Sequence, residues 1–177
     1  MLAKEARSPS GFRWRKQMKG KRILVVDDDT IVLDSCKVVL EAEGFSVVLV
    51  SSAAAAMEHL EHAGIFDMMI MDVKMPDGDG VYLLQRITEK WPLANWPEIP
   101  VLVMSGYPTP ETIRTFINRG VKEFIPKPFT PDELLEAVYR LLGRTEGADN
   151  MRDSRPPRGR NGSAHERSQR DESTGNR

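Results

Sequence analysis

Five apolar runs of strand length punctuate the middle of this chain, and a helix-patterned segment follows each one. The runs are "RILVVD" (22–27), "SVVLVS" (46–51), "FDMMIMD" (66–72), "PVLVMS" (100–105) and "KEFIP" (122–126). They are continuously apolar rather than alternating, as strands must be when both faces of their sheet are covered. The segments between them carry helix punctuation. "TIVLDSCKVVLEAEG" (30–44) has apolar residues at helical spacing and stops at Gly44, and the Ala-rich "SAAAAMEHLEHAG" (52–64) stops at Gly64. "GVYLLQRITEKW" (80–91) is closed by Pro92. "TPETIRTFINRG" (109–120) offers Thr109 as cap, Pro110 at the first helical position and Gly120 at the exit. "TPDELLEAVYRLLG" (130–143) opens with a capping box, Thr130 to Glu133, and is expected to close at Gly143. Strand and helix alternating five times predict an α/β fold, a doubly wound five-stranded parallel sheet.

That sheet takes up residues 21–143, and charge sets it apart from the ends. Residues 23–143 carry nine bases against nineteen acids, whereas residues 1–22 carry eight bases against one acid. An acidic globule is repelled by phosphate backbones, which argues against a nucleic-acid-binding core. Residues 1–20 read as a basic, flexible leader. Phe12 and Trp14 interleave with its bases, so the sharper reading is an arm that touches nucleic acid, an acidic lipid surface or a partner. Residues 144–177, with eight Arg against six acids, read as a disordered Arg-rich tail. From 151 onward the only apolar side chain larger than Ala is Met151, too little to offset the entropy of ordering. No run of about 18 apolar residues is present, so no membrane span is expected. The basic start lacks the apolar core of a signal peptide, and a cytoplasmic protein is expected. Cys36 is the single cysteine; it excludes an intramolecular disulfide and a Cys-based zinc site, and reads as a small packed or half-exposed thiol.

Open α/β sheets bind ligands at the carboxyl ends of their strands. Those ends are rich in chemistry here. Strand one ends in Asp27, Asp28 and Asp29, strand three in Asp72, strand four in Ser105, and strand five runs into Lys127. Strand two ends in Ser51 and Ser52, which carry no evident role. Carboxylates packed together repel one another unless a proton or a cation neutralises them. Hard oxygen donors of this kind suit Mg²⁺, which takes one or two carboxylates together with waters and phosphate oxygens. Mg²⁺ and an ammonium around one Asp would stabilise the charge that develops in phosphoryl transfer, with Asp72 as the nucleophile. The Gly- and Asp-rich bend after Asp72 would let phosphate and metal approach the backbone.

Taken in order, "ILVVDDD", "MDVKMPDGDG", "VLVMSGY" and "FIPKPF" resemble the receiver domain of two-component response regulators over about residues 21–143. The resemblance implies a flavodoxin-like receiver fold. It implies Asp27 and Asp28 as metal-site acids, with Asp28 the direct ligand, and Asp72 as phosphoacceptor and further ligand. The backbone carbonyl of Lys74 would complete the protein's share of the Mg²⁺ site. Ser105 would bind the phosphoryl oxygen, Lys127 would pair with it, and Phe124 would be the aromatic that turns on switching. A cis peptide between Lys127 and Pro128 is implied as well. The phosphodonor would be a histidine kinase or a histidine phosphotransfer protein. With no DNA-binding output domain visible in the sequence, a single-domain regulator is expected to signal through its 109–143 surface to a downstream protein, or to relay phosphate. Lys74, two residues beyond Asp72, is expected to lie over the pocket, by pairing with Asp27 or lying along the phosphoryl group. There it would shield the acyl phosphate from water, with Tyr107 adding bulk.

Two rival classes compete. A haloacid-dehalogenase-like phosphatase would use Asp27 as nucleophile with Asp29 two residues on, but it would leave Asp72 without a role and lacks an acidic pair on a later strand. A flavodoxin-like scaffold without phosphate chemistry would not need the set of acids. Plainer roles are expected elsewhere. Asp29 reads as a helix-entry residue. Met68, Met69, Met71, Met75 and Met104 read as packing, and His59, His62 and His165 lack ligand spacing. Trp91 and Trp96 sit in a long loop (91–100) and read as packing over the sheet edge.

Overall fold

The computed structural model describes residues 18–62, 64–76, 80–90, 98–106 and 108–153, the last ten as backbone alone. The elements run β1 (Arg22–Val26), α1 (Thr30–Ala42), β2 (Ser46–Val50), α2 (Ala53–His62), β3 (Met68–Asp72), α3 (Gly80–Lys90), β4 (Val101–Ser105), α4 (Pro110–Asn118), β5 (Glu123–Pro126) and α5 (Pro131–Asp153). The five strands form one parallel sheet in the order β2-β1-β3-β4-β5. The chain reverses its direction of travel across the sheet after β2, so the crevice between β1 and β3 is the topological switch point.

Strand alternation divides the apolar residues between two cores. Ile23 and Val25 of β1 point to one face with Met68, Ile70, Leu102 and Met104, where α1 and α5 supply Leu33, Cys36, Leu40, Leu134 and Val138. Leu24 and Val26 point to the other face with Met69, Met71 and Val103, where Ala53, Ala56, Leu83, Ile87 and Phe116 come from α2, α3 and α4. Every residue of β3 and β4 is buried. Burying one such side chain is worth about 1.5–3 kcal/mol, against at most ~0.7 kcal/mol per ordinary residue from helix propensity. The two cores therefore fix the register, because a one-residue slip would send each set to the wrong face.

The helix caps follow the sequence signals. Thr109 accepts from the Thr112 N–H, and the Thr130–Glu133 box closes in both directions. Gly44 leaves α1 with φ near +90°, the left-handed conformation expected of a helix-ending glycine. Two boundaries need correction. The last helix does not stop at Gly143 but continues to Asp153, so the first ten residues assigned to a disordered tail are helical. Gly143 does not take a left-handed φ, and a glycine within a helix costs only about 1 kcal/mol. At the other end, Met18 is not part of a free leader. It is 2% exposed in the α1/α5 core, and the Gly20 N–H donates to the Gly44 carbonyl. The rest of the leader (1–17) and tail (154–177) lie outside the described residues. No described helix is long and apolar enough to cross a membrane.

Candidate functional site

Two strand ends, those of β1 and β3, and the turn after β5 bring charged side chains together at the carboxyl edge of the sheet. The Asp27 N–H extends the β1–β2 ladder to the Val50 carbonyl, which leaves the fully buried Asp27 carboxyl at the mouth of the β1/β3 crevice. Asp72 is the last residue of β3 and is 6% exposed. Lys127 follows β5 directly, and its N–H donates to the Ser105 carbonyl at 2.8 Å, tying the turn to the end of β4. The peptide from Lys127 to Pro128 is cis, as the resemblance implied.

The ammonium of Lys127 spans two carboxylates, 2.5 Å from Asp27 Oδ2 and 2.9 Å from Asp72 Oδ1. The remaining oxygens are held by main-chain donors. The Asp29 N–H reaches Asp27 Oδ1 at 2.9 Å, and the Lys74 N–H reaches Asp72 Oδ2 at 2.9 Å. Asp28 stands exposed beside them, and Asp27, Asp28 and Asp72 each offer an oxygen within 4.8 Å of the others. Three carboxylates against one ammonium leave the ionised cluster with two negative charges in excess. Burial pushes the Asp27 carboxyl up from its ordinary pKa, although the Lys127 bond and the Asp29 N–H pull against it. Burial opposes charge on Lys127, but its bonds to Asp27 and Asp72 outweigh that and hold it above the ordinary lysine value. The two negative charges in excess, held at one edge of the sheet, leave the site suited to a further cation. Its donors are all oxygen, and that set fits a small hard dication such as Mg²⁺.

The other expected residues fall into place unevenly. Ser105 is 5% exposed at the end of β4, joined to Lys127 through the backbone. Phe124 lies on β5, half-buried and away from the acids, edge-on to Phe116 with ring centroids 6.1 Å apart. The Lys74 side chain is exposed and makes no ion pair among the described residues. The anticipated Lys74–Asp27 pair is therefore not formed; Asp27 is taken by Lys127. His59 and His62 sit on α2 apart from the acids, and Met68, Met69, Met71, Met75 and Met104 are all packed in the cores. Trp91, Trp96, Tyr107 and His165 lie outside the described residues.

Sequence reasoning missed Gly80. A Cβ there would lie 2.5 Å from the Asp72 carbonyl oxygen and 3.1 Å from that of Val73, to which the Gly80 N–H donates. The start of α3 thus closes directly beneath the acid. Asp29 behaves as the helix-entry residue it was read to be, its carboxylate accepting from the Ile31 N–H. That use of Asp29, with Asp27 tied to Lys127, removes the second acid a dehalogenase-type arrangement requires.

The sequence profile of the response regulator receiver domain matches residues 23–139. The chain belongs to the response regulator receiver family. The receiver is 32% identical over 154 residues to the DNA-binding transcriptional regulator NtrC of Rhizobium meliloti (strain 1021), covering 84% of this chain and 31% of that protein. It is 31% identical to the transcriptional regulatory protein FixJ of Bradyrhizobium diazoefficiens, covering 71% of this chain and 58% of that protein. Among solved structures, a CheY-like response regulator receiver domain protein from Methanospirillum hungatei JF-1 superposes with a TM-score of 0.66 at 33% identity, covering 73% of this chain and 99% of that one. The likeness is thus to a whole receiver domain in one case and to part of a longer regulator in the others.

Proposed function

We propose that this receiver accepts a phosphoryl group on Asp72, with Mg²⁺ held by Asp27, Asp28, Asp72 and the Lys74 backbone carbonyl. The observation that carries the reading is the Asp72 carboxylate itself, buried at a strand end, bridged by Lys127 and within 4.8 Å of the Asp27 and Asp28 oxygens. In the proposed step an Asp72 oxygen attacks phosphorus, and the bond from phosphorus to the donor breaks. Lys127 then turns from Asp72 toward the new phosphoryl oxygens, and the Ser105 hydroxyl donates to one of them. The Lys74 N–H keeps the attacking carboxylate oriented. When bound, Mg²⁺ supplies neutralisation of the phosphoryl oxygens.

The phosphodonor in this reading is a histidine kinase or a histidine phosphotransfer protein, and the domain assists its own phosphorylation and dephosphorylation without acting on a separate substrate. The receiver signals by changing the surface built from residues 109–143, where Phe124 meets α4. The proposal includes a cytoplasmic regulator. The test is incubation with acetyl phosphate and Mg²⁺ followed by intact mass measurement. One phosphoryl group should be gained, and none by Asp72→Asn, whose amide cannot form the acyl phosphate. Labelling of Asp72→Asn at the native level would refute the assignment, and loss of labelling only in Asp27→Asn would favour the phosphatase reading.

A further inference from the structure

We infer that Asp29 is a positioning residue for the divalent-cation site, acting through the shape of the 27–29 turn and not through its charge. The inference rests on the metal reading above and concerns a residue which that reading leaves unused. Three consecutive aspartates leave β1, and the structure gives them three different fates. Asp27 turns inward and is fully buried; Asp28 points out beside Asp72; Asp29 turns to the start of α1.

Residue 29 is held at every polar group it has. Its N–H donates to Asp27 Oδ1 at 2.9 Å. Its carboxylate accepts from the Ile31 N–H at 2.9 Å, and its carbonyl accepts from the Leu33 N–H at 3.0 Å. The backbone there is extended, with φ −84° and ψ 109°, as an N-cap requires. Helix α1 is in turn anchored in the core by Leu33, Cys36 and Leu40. Rigidity thus passes from a packed helix through the Asp29 side chain and carbonyl to an N–H that fixes one oxygen of Asp27.

Asp28 gains most from this. Its exposed side chain makes no hydrogen bond or ion pair among the described residues. Nothing but the backbone on either side sets its direction toward Asp27 and Asp72. Residue 27 is fixed by the Lys127 bond and residue 29 by the cap, so Asp28 is carried between two clamped neighbours. Releasing the cap would free the second clamp, and a metal ligand that must be ordered on binding binds more weakly.

The charge explanation makes a different prediction, because Asn caps a helix as well as Asp does but is neutral. The experiment is Mg²⁺ titration of the unphosphorylated full chain by isothermal calorimetry, with variants Asp29→Ala, Asp29→Gly and Asp29→Asn. Ala and Gly remove the capping oxygen; Gly is tolerated at this position and carries the test if Ala fails to fold. Both should weaken Mg²⁺ roughly tenfold, with Asn staying within about twofold of the native chain. Native affinity in Ala and Gly would overturn the inference. So would an Asn variant as weak as Ala, which would assign the effect to charge. Asp28→Ala is the control: if it keeps native Mg²⁺ affinity, the metal site itself is misassigned, whatever Asp29 does.

Discussion

Helices α1 and α4 both leave the carboxyl edge of the sheet from a capped residue, yet they are held very differently. Over 13 residues α1 buries Leu33, Cys36 and Leu40 among the side chains of α5 and the sheet, while α4, 9 residues long, buries Phe116 alone. Both caps are made, by Asp29 and by Thr109. The difference therefore lies in tertiary burial, which supplies most helix stability in proteins. Local opening free energies follow such burial, so the same acidic edge is bounded by one firm helix and one loosely fastened helix. The ring that fastens the loose one, Phe116, rests against Phe124, the expected switching aromatic. A domain that must hold its acids still and let a surface move would place its two helices this way.

The largest test of that contrast is Phe116→Ala. Loss of a buried Phe should cost about 3–5 kcal/mol in denaturant unfolding. Hydrogen exchange over residues 113–118 should accelerate beyond the global loss, because no other buried side chain holds α4. Equal acceleration in α1 would break the comparison. Leu40→Ala should cost about 2–5 kcal/mol, but with α1 protected in step with β3, since Leu33 and Cys36 still hold it. Selective exposure of α1 in that variant would put both helices in the same class. Thr109→Ala removes a cap worth about 1 kcal/mol. On a helix with one anchor the loss should spread through all of α4, visible as faster amide exchange to residue 118. Confinement to the first turn would mean that α4 has more support than Phe116 gives it. The smallest expected effect is none at all. Burial, with the Asp27 charge added, pushes the Cys36 thiol up to about 12. Iodoacetamide at pH 8 should leave native protein unlabelled by mass spectrometry and label it fully in denaturant. Rapid native labelling would show α1 opening easily and would reverse the ranking.

Much of this fold could be read from the chain because its signals are local. Continuous apolar runs marked strands covered on both faces, and Thr109, Thr130 and Gly44 marked helix ends whose hydrogen bonds or backbone angles the structure bears out. The misjudged ends were those that non-local packing decides. Met18 is buried in the α1/α5 core, which no feature of a basic leader announces, and Gly143 signals a stop that its backbone does not take. The site divides the same way. That acids and a lysine would meet followed from the carboxyl-end rule. Which of three adjacent aspartates turns inward did not, because the choice is made by the geometry of the β1–α1 turn. Gly80 was illegible for a similar reason, since the clash that requires it is with the carbonyl of Asp72 across the loop. The Phe116–Phe124 contact joins two elements through side chains that sequence spacing does not relate.

One detail of the β4–β5 edge has a bearing on how such a site can change over generations. Lys127 is tied to position 105 by its own N–H and by the carbonyl oxygen of Ser105, with no side-chain atom in the link. A substitution at 105 that keeps the backbone leaves the lysine where it was, and the reverse also holds. The two positions can therefore be altered one at a time, each change tried against an unaltered partner, so that a lineage can retune this corner of the site without passing through an intermediate that has lost both.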